Sequence, residues 1–360
     1  MQRAVICVSD PWNYIDQYSN YSLMIVNPTL PQSRLDYLLD KADWSLLITA
    51  DNIQQRNGKN YQNEKVVWYT SGTTGDSKFF SVSQHKLDHV CNRLIADYDI
   101  TANDRYVSIM PLWHAHGQTF YWLAKKVGFE IDFLPVSKIS QIEKYNPTFI
   151  TGIPDLLKVL AQFRLPSLRF ARTASAALSD KVYEMLKNKL NVPIIEAFGM
   201  TESTSHCFTN PLHGEQRVGT VGLPTGIEAE IRDQKVWIRG PAVQSADWFD
   251  TGDLGEIDHR GYFRILGRAQ DTINIKGYKF NPVSLEQQLV KQFPDITECV
   301  VFGTDKVKCL YSGQIEVTAV SKFLQSLNVY CKPKLIQQVE KIPVNSMGKI
   351  SRSILNQEFQ

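Results

Sequence analysis

The chain has 360 residues, 43% of them hydrophobic and 21% charged, with 39 Lys+Arg against 37 Asp+Glu for a net charge of +2. This is the composition of an ordinary globular protein long enough for two or three domains, and it excludes the basic stripe of a nucleic-acid binder. Residues 1–12 carry no extended apolar run, no stretch reads as a membrane span, and the six cysteines lack C-x-x-C spacing, which suits reduced thiols in a cytoplasmic enzyme.

Short apolar runs alternate with helical patterns along most of the chain, the signature of an α/β fold. The spacing predicts buried strands at 66–69, 106–110, 149–151, 170–174 and 193–196. It predicts helices over 86–97, 154–162 and 179–190, the last with Ser179 as N-cap. After Gly214 the texture changes: 218–224 and 228–237 alternate with turns, and a strand-rich subdomain is expected to end near Leu266. From about Asp271 the pattern reads as a small α+β unit. It has a strand pair within 272–280, a helix after Pro282, strands near 299–303 and 334–339, and a last helix near 351–358.

The most telling stretch is 69–78, Tyr-Thr-Ser-Gly-Thr-Thr-Gly-Asp-Ser-Lys, directly after the apolar run 65–68. Gly72 and Gly75 let backbone N–H groups approach an anion closely. Thr70, Ser71, Thr73 and Thr74 add hydroxyl donors, and Lys78 adds a point charge suited to polyphosphate. The G-x-x-x-x-G-K-[ST] spacing of a Walker A loop is absent. The same residues also suit a plain surface turn.

The wording of this loop resembles the Y-T-S-G-T-T-G-x-P-K-G phosphate loop of the adenylate-forming (ANL) superfamily, which includes acyl- and aryl-CoA synthetases, luciferases and peptide-synthetase adenylation domains. Further matches follow in the family's order. Pro111-Leu112-Trp113-His114-Ala115-His116-Gly117 resembles P-L-F-H-x-x-G, and Glu196-Ala197-Phe198-Gly199-Met200-Thr201-Glu202 resembles the Y-G-x-T-E motif. Thr251-Gly252-Asp253 matches T-G-D, Gly267-Arg268 through Gly277 resembles the G-R-x-D…G hinge segment, and Pro343 through Arg352 resembles the closing P-x-x-x-x-G-K-x-x-R. Ser77, Phe79 and Phe80 depart from the family pattern after the phosphate loop, as does Gln270 at the hinge. Asn27-Pro28-Thr29-Leu30-Pro31 matches a family segment that normally lies well inside the large domain. An opening portion of that domain is therefore expected to be missing, and the lid to be trimmed around 306–312.

The resemblance implies a large N-terminal adenylation domain over 1–268 and a small mobile C-terminal lid over 269–360. It implies an AMP-forming acid–thiol ligase that uses ATP, Mg²⁺ and coenzyme A, or the phosphopantetheine arm of an acyl carrier protein in place of CoA. A degenerate adenylate-binding regulatory protein is the reading from another class. Lys349 would neutralise the α-phosphate, Thr201 would hydrogen-bond it, and Glu202 would hold Mg²⁺. Phe198 and Gly199 would face adenine together with the backbone of Ala174, Ser175 and Ala176. Asp253 and Arg268 would take the ribose, and Gly277 belongs to the hinge segment. His114 would line the carboxylate pocket. No acidic residue lies between Arg105 and Glu130, so an α-amino acid would lack a counter-charge there. A small carboxylic acid without a free amine is the expected substrate, with no nucleic acid as partner and no membrane span. The pairs His114/His116 and His85/His89 lack a nearby third ligand, which argues against zinc.

Overall fold

The computed structural model describes residues 1–71, 77–275, 278–304, 306–327, 332–344 and 350–359, with Ser71 described by its backbone alone. The chain divides into two units. The first comprises Met1–Glu230, Trp237–Phe249 and Ile257–Arg264, and the second Ile231–Val236, Asp250–Glu256 and Ile265–Gln360.

The first unit opens with β1 (Arg3–Cys7), α1 (Trp12–Ile15), β2 (Ser22–Ile25), α2 (Gln32–Ala42), β3 (Leu46–Thr49), β4 (Ile53–Gln55), β5 (Val66–Ser71) and β6 (Ser77–Val82). These strands form a sheet in the order β4-β3-β1-β2-β5-β6, parallel at its centre and antiparallel at both edges. Every residue of β1 and β2 is buried. Alternate side chains serve opposite faces, as a strand covered on both sides requires. Val5, Met24, Leu47 and Val67 pack with Leu38 and Ala42 of α2, while Ala4, Ile6, Leu23, Ile25 and Val66 join a separate cluster. Residues 69–71 and 77–78 belong to an antiparallel pair, β5 with β6, in register from Val66↔Val82 to Ser71↔Ser77. Phe79 and Phe80 belong to β6, and each packs against a core cluster. Their bulk therefore anchors that strand.

A second sheet follows, built from α3 (Gln84–Tyr98), β7 (Arg105–Ser108), α4 (Ala115–Val127), β8 (Glu130–Phe133), β9 (Phe149–Gly152), α5 (Pro154–Leu160), β10 (Phe170–Thr173), α6 (Asp180–Leu190), β11 (Ile194–Phe198), β12 (Phe208–Thr209) and β13 (Leu223–Pro224). Its order is β13-β12-β11-β10-β9-β7-β8, with β7 to β11 parallel. Residues of α3 and α4 share one cluster with the stacked rings of Tyr106, Phe149 and Phe170, whose neighbouring centroids are 4.9 and 5.3 Å apart. Leu157, Leu160, Tyr183 and Leu186 of α5 and α6 pack with Ile150, Ala171 and Ile194 in another. The five expected strands and three expected helices are all present, with ends shifted by a few residues. Ser179 caps α6 by accepting the Val182 N–H at 3.4 Å.

β14 (Glu228–Arg232), β15 (Lys235–Arg239), β16 (Phe249–Ile257) and β17 (Phe263–Arg268) form a four-stranded sheet in chain order. This is the expected strand-rich stretch. In the second unit, β18 (Ile273–Ile275) and β19 (Tyr278–Phe280) pair antiparallel. They precede α7 (Pro282–Gln292), β20 (Ile296–Phe302), β21 (Lys308–Gly313), α8 (Val317–Ser326), β22 (Leu335–Gln338) and α9 (Arg352–Glu358). The segment expected to be trimmed supplies β21, the middle strand of the β20-β21-β22 sheet. Arg352, from the closing motif, is one side of a half-buried clamp. It donates to Asp271 at 2.9 Å, to Glu286 at 2.6 Å and to the Val301 carbonyl at 2.9 Å.

The first sheet is stitched by a buried ion pair. Arg3 forks onto Glu64 with contacts of 2.7 and 2.8 Å, and the Ser22 hydroxyl donates to the same carboxylate at 2.9 Å, as does that of Ser81. Removing one partner of such a pair leaves a buried charge uncompensated. Glu64→Ala is expected to cost on the order of 3–5 kcal/mol of stability, read as a lowered urea midpoint, whereas a loss below about 1 kcal/mol would mean the pair is dispensable.

Candidate active site

The five parallel strands of the second sheet share one C-terminal edge, the place where open α/β sheets bind ligands. The motif residues collect there because each motif is the loop that leaves a strand. Pro111–Gly117 follow β7, Ala174-Ser175-Ala176 follow β10, and Gly199–Glu202 follow β11. β5 packs against the Thr201–Ser203 turn.

Local geometry explains several motif letters. The Tyr69 hydroxyl accepts the Asn27 N–H at 3.2 Å, tying the start of the phosphate loop to the Asn-Pro segment. Arg34 Nη2 donates to Ser77 Oγ at 2.6 Å at the start of β6. A Cβ on Gly117 would lie 2.4 Å from the Pro111 carbonyl oxygen, and one on Gly199 would lie 1.9 Å from that of Ser205. Both positions therefore demand glycine. Ser175 has φ +70°, and with Ala176 it forms an exposed bend, while Ala174 is buried and donates its N–H to the Gly152 carbonyl at 3.1 Å.

Phe198 is half-buried and meets Phe208 edge-on at 6.0 Å. Thr201 and Glu202 lie in a short 3₁₀ turn held by the Gln244 N–H, which donates to the Glu202 carbonyl at 2.8 Å. Among the described residues neither the Thr201 hydroxyl nor the Glu202 carboxylate is engaged. A half-buried carboxylate left uncommitted beside a hydroxyl fits a hard cation and phosphate oxygens. Thr70 is half-buried near the end of β5, directly across from Lys78, which is exposed on β6. His114 is the N-cap of α4. The other histidine of that motif, His116, is bonded through Nε2 to Thr151 Oγ1 at 2.9 Å. Burial, with Arg172 and the neighbouring histidines adding to it, pushes the His116 pKa well below the usual range, so the ring is neutral. His89 Nε2 lies 2.8 Å from the Gly226 carbonyl oxygen. Gly72, Thr73, Thr74, Gly75, Gly277 and Lys349 lie outside the described residues, as does Cys331.

In the second unit, Asp253 is buried on β16 and its Oδ1 meets Arg268 Nε at 3.1 Å. Arg268 Nη1 donates to the Thr251 carbonyl at 3.0 Å. The two predicted ribose contacts are thus an ion pair, which fixes the carboxylate that the T-G-D motif presents.

Sequence reasoning missed a buried network on the same sheet. Arg172 of β10 is only 1% exposed. Its Nε donates to the Tyr98 hydroxyl at 3.0 Å and its Nη2 to His206 Nδ1 at 3.2 Å. His206 Nε2 then donates to Asp97 Oδ2 at 3.1 Å. Burial, opposed in part by Asp97, pushes the His206 pKa down to about 4. A single arginine inside an apolar strand gives no sequence signal that it will be held in this way.

Glu196 opens the Glu196–Glu202 motif and is buried on β11. Its carboxylate accepts the Gly219 N–H at 3.1 Å and the Leu178 N–H at 3.4 Å. Burial outweighs these contacts and the attraction of Arg264, and raises its pKa to about 7. The folded protein therefore holds this proton more tightly than the unfolded chain does. Stability should fall as pH rises from the ordinary carboxylate range through about 7, with a slope from this one group of at most about 1.4 kcal/mol per pH unit. Urea unfolding from pH 5 to 8 should show that decline in the wild type and a flatter profile in Glu196→Gln. Parallel profiles would assign the pH dependence to other groups.

The chain is 29% identical over 346 residues to an oxalate–CoA ligase of Arabidopsis thaliana, covering 81% of this chain and 66% of the relative. It is 26% identical to a sulfoacetate–CoA ligase of Cupriavidus necator, covering 80% of this chain and 65% of the relative. The chain thus spans just under two thirds of the length of these relatives. The fold matches that of ATP-bound MatB from Rhodopseudomonas palustris with a TM-score of 0.88 at 21% identity, covering 99% of this chain and 88% of that one. A model of the AMP-binding enzyme family matches residues 62–245, just over half of the chain. The chain belongs to the AMP-binding enzyme family.

Proposed function

We propose that the protein is an AMP-forming acid–thiol ligase, activating a small carboxylic acid without a free α-amine as its acyl-adenylate and passing the acyl group to coenzyme A. The observation that carries this reading is the uncommitted Thr201–Glu202 pair at the C-terminal edge of the parallel sheet, beside a glycine that no side chain could replace. The relatives support the class of reaction, since those named above are CoA ligases for small acids.

In the first half-reaction the substrate carboxylate attacks the α-phosphorus of ATP and pyrophosphate leaves. In the second a thiolate attacks the acyl carbon and AMP leaves. Catalysis of the first step is positioning and charge stabilisation. Lys78 and the hydroxyls of Thr70, Ser71, Thr73 and Thr74 would hold the phosphates, with backbone N–H groups freed by Gly72 and Gly75. Thr201 would orient the α-phosphate, and His114 would border the acid's carboxylate. Glu202 would bind Mg²⁺, whose charge offsets that of the triphosphate. Asp253, fixed by Arg268, would accept the ribose hydroxyls, and Phe198 would offer its ring to adenine. The same reading gives 1–268 the nucleotide and acid sites and 269–360 the role of a lid bearing Lys349.

The primary test is pyrophosphate release from ATP with a panel of acids, followed by CoA-dependent AMP release. Lys349→Ala should abolish acyl-adenylate formation and largely spare thioester formation from supplied acyl-AMP; equal loss in both would remove Lys349 from the first step alone. Asp253→Ala should weaken ATP binding roughly ten- to hundredfold, because a buried polar contact costs about 1–3 kcal/mol to lose. An unchanged calorimetric affinity would show the ribose assignment to be wrong. Proteinogenic amino acids should be poor substrates, since an unpaired α-ammonium is costly to bury.

A further inference from the structure

The buried network around Arg172 fixes the direction of each of its bonds but leaves one nitrogen over. The Thr209 hydroxyl donates to the Asn210 carbonyl at 2.9 Å, so the Tyr98 hydroxyl donates to Thr209 Oγ1 at 2.7 Å and is free to accept from Arg172 Nε. His206 accepts from Arg172 Nη2 at Nδ1, so its proton is on Nε2, facing Asp97. Asp97 also accepts from Arg93 at 2.8 Å and from Thr225 at 2.7 Å. Every partner is used except Arg172 Nη1, which is buried with no hydrogen-bond partner.

The charge does not close either. Arg93 and Arg172 share the single carboxylate of Asp97, and Arg93 bonds it directly while Arg172 reaches it only through a neutral imidazole. Among the described residues no carboxylate contacts Arg172. Its neighbours also include the ring of Phe120, 5.9 Å from the guanidinium carbon, and the neutral His116, which lies 5.1 Å from that same ring. A buried cation with neutral partners and an unused N–H pair is incomplete without an anion.

Its place in the fold indicates which anion. Arg172 pairs in register with Thr151, the partner of His116, and His116 lies two residues beyond His114 at the start of α4. Arg172 also lies three residues before Ser175, at the ligand edge of the sheet, a span of roughly 10 Å at the rise of a strand.

Resting on the ligase reading above, we propose that Arg172 is the specificity-determining residue of the acid site. Its Nη1 receives the second, non-reacting acidic group of a short dianionic acid, and the first carboxylate remains near His114 for attack on ATP. An uncharged tail in that position would leave the guanidinium unpaired against hydrocarbon, and an ammonium would be repelled. The relatives named above are ligases of oxalate and sulfoacetate, acids whose two anionic groups are separated by few atoms, and this sets the length of the acid tested.

The test compares malonate with monomethyl malonate, which has nearly the same shape but lacks the second charge. In the wild type, kcat/KM for pyrophosphate release should be roughly 10- to 100-fold higher for malonate, with most of the difference in KM. Arg172→Met should remove that preference by lowering activity on malonate while sparing monomethyl malonate, and Arg172→Lys should keep part of it. Equal wild-type use of the two acids overturns the proposal, as does an Arg172→Met enzyme that loses activity on both alike. If Arg172→Met fails to fold, the wild-type comparison decides alone. Calorimetric binding of the two acids separates this inference from the ligase reading. Malonate-selective binding without pyrophosphate release would sink the ligase and keep the anion site, while release that ignores the second charge would keep the ligase and sink the site.

Discussion

A guanidinium buried at 1% exposure shapes the large unit, because such a cation is tolerated only if its surroundings are built around it. Arg172 fixes the tautomer of His206, and His206 in turn meets Asp97, so β10, the C-terminal end of α3 and the segment beyond Thr201–Ser203 are held by one directed chain of protons. Tyr98, fully buried in the same chain, connects it to Thr209 on β12. The aromatic cluster of Tyr106, Phe120, Phe149 and Phe170 lies against this network. A low local dielectric strengthens each bond and makes any missing partner expensive.

The chemistry sits where the sheet geometry puts it. Parallel strands deliver all their outgoing loops to one edge, so residues far apart in sequence, such as His114 and Glu202, reach the same edge without long connections. The two glycines that open the way are there for reasons of contact. Gly117 lets the first turn of α4 approach Pro111, and Gly199 lets the chain pass Ser205. The ends of the Tyr69–Lys78 motif lie elsewhere, on β5 and β6, with Phe79 and Phe80 anchoring β6 in two core clusters.

The smaller unit follows a similar logic with an ordinary ion-pair clamp. Arg352 bridges Asp271, Glu286 and the backbone of β20, joining the last helix to the start of the unit. Its place in the closing motif is thus structural as well as diagnostic. Asp253 and Arg268 likewise act on each other first, so the carboxylate is oriented in the protein itself.

The sequence alone determined the elements whose signals are local. Four of the five parallel strands of the central sheet, β7, β9, β10 and β11, are short apolar runs, α6 has its serine cap, and the ordered motifs from Tyr69 to Arg352 carry their family resemblance in their letters. Local pattern did not reveal β1 to β3, whose continuous apolar runs fit a buried helix as well as a strand, nor β21, which becomes the middle of its sheet only through two partners distant in sequence. The raised pKa of Glu196 and the unpaired nitrogen of Arg172 were equally invisible. Both depend on what surrounds the group in three dimensions. Burial, the cost of an uncompensated charge and the direction of each proton are properties of packing, and only the tertiary structure sets them.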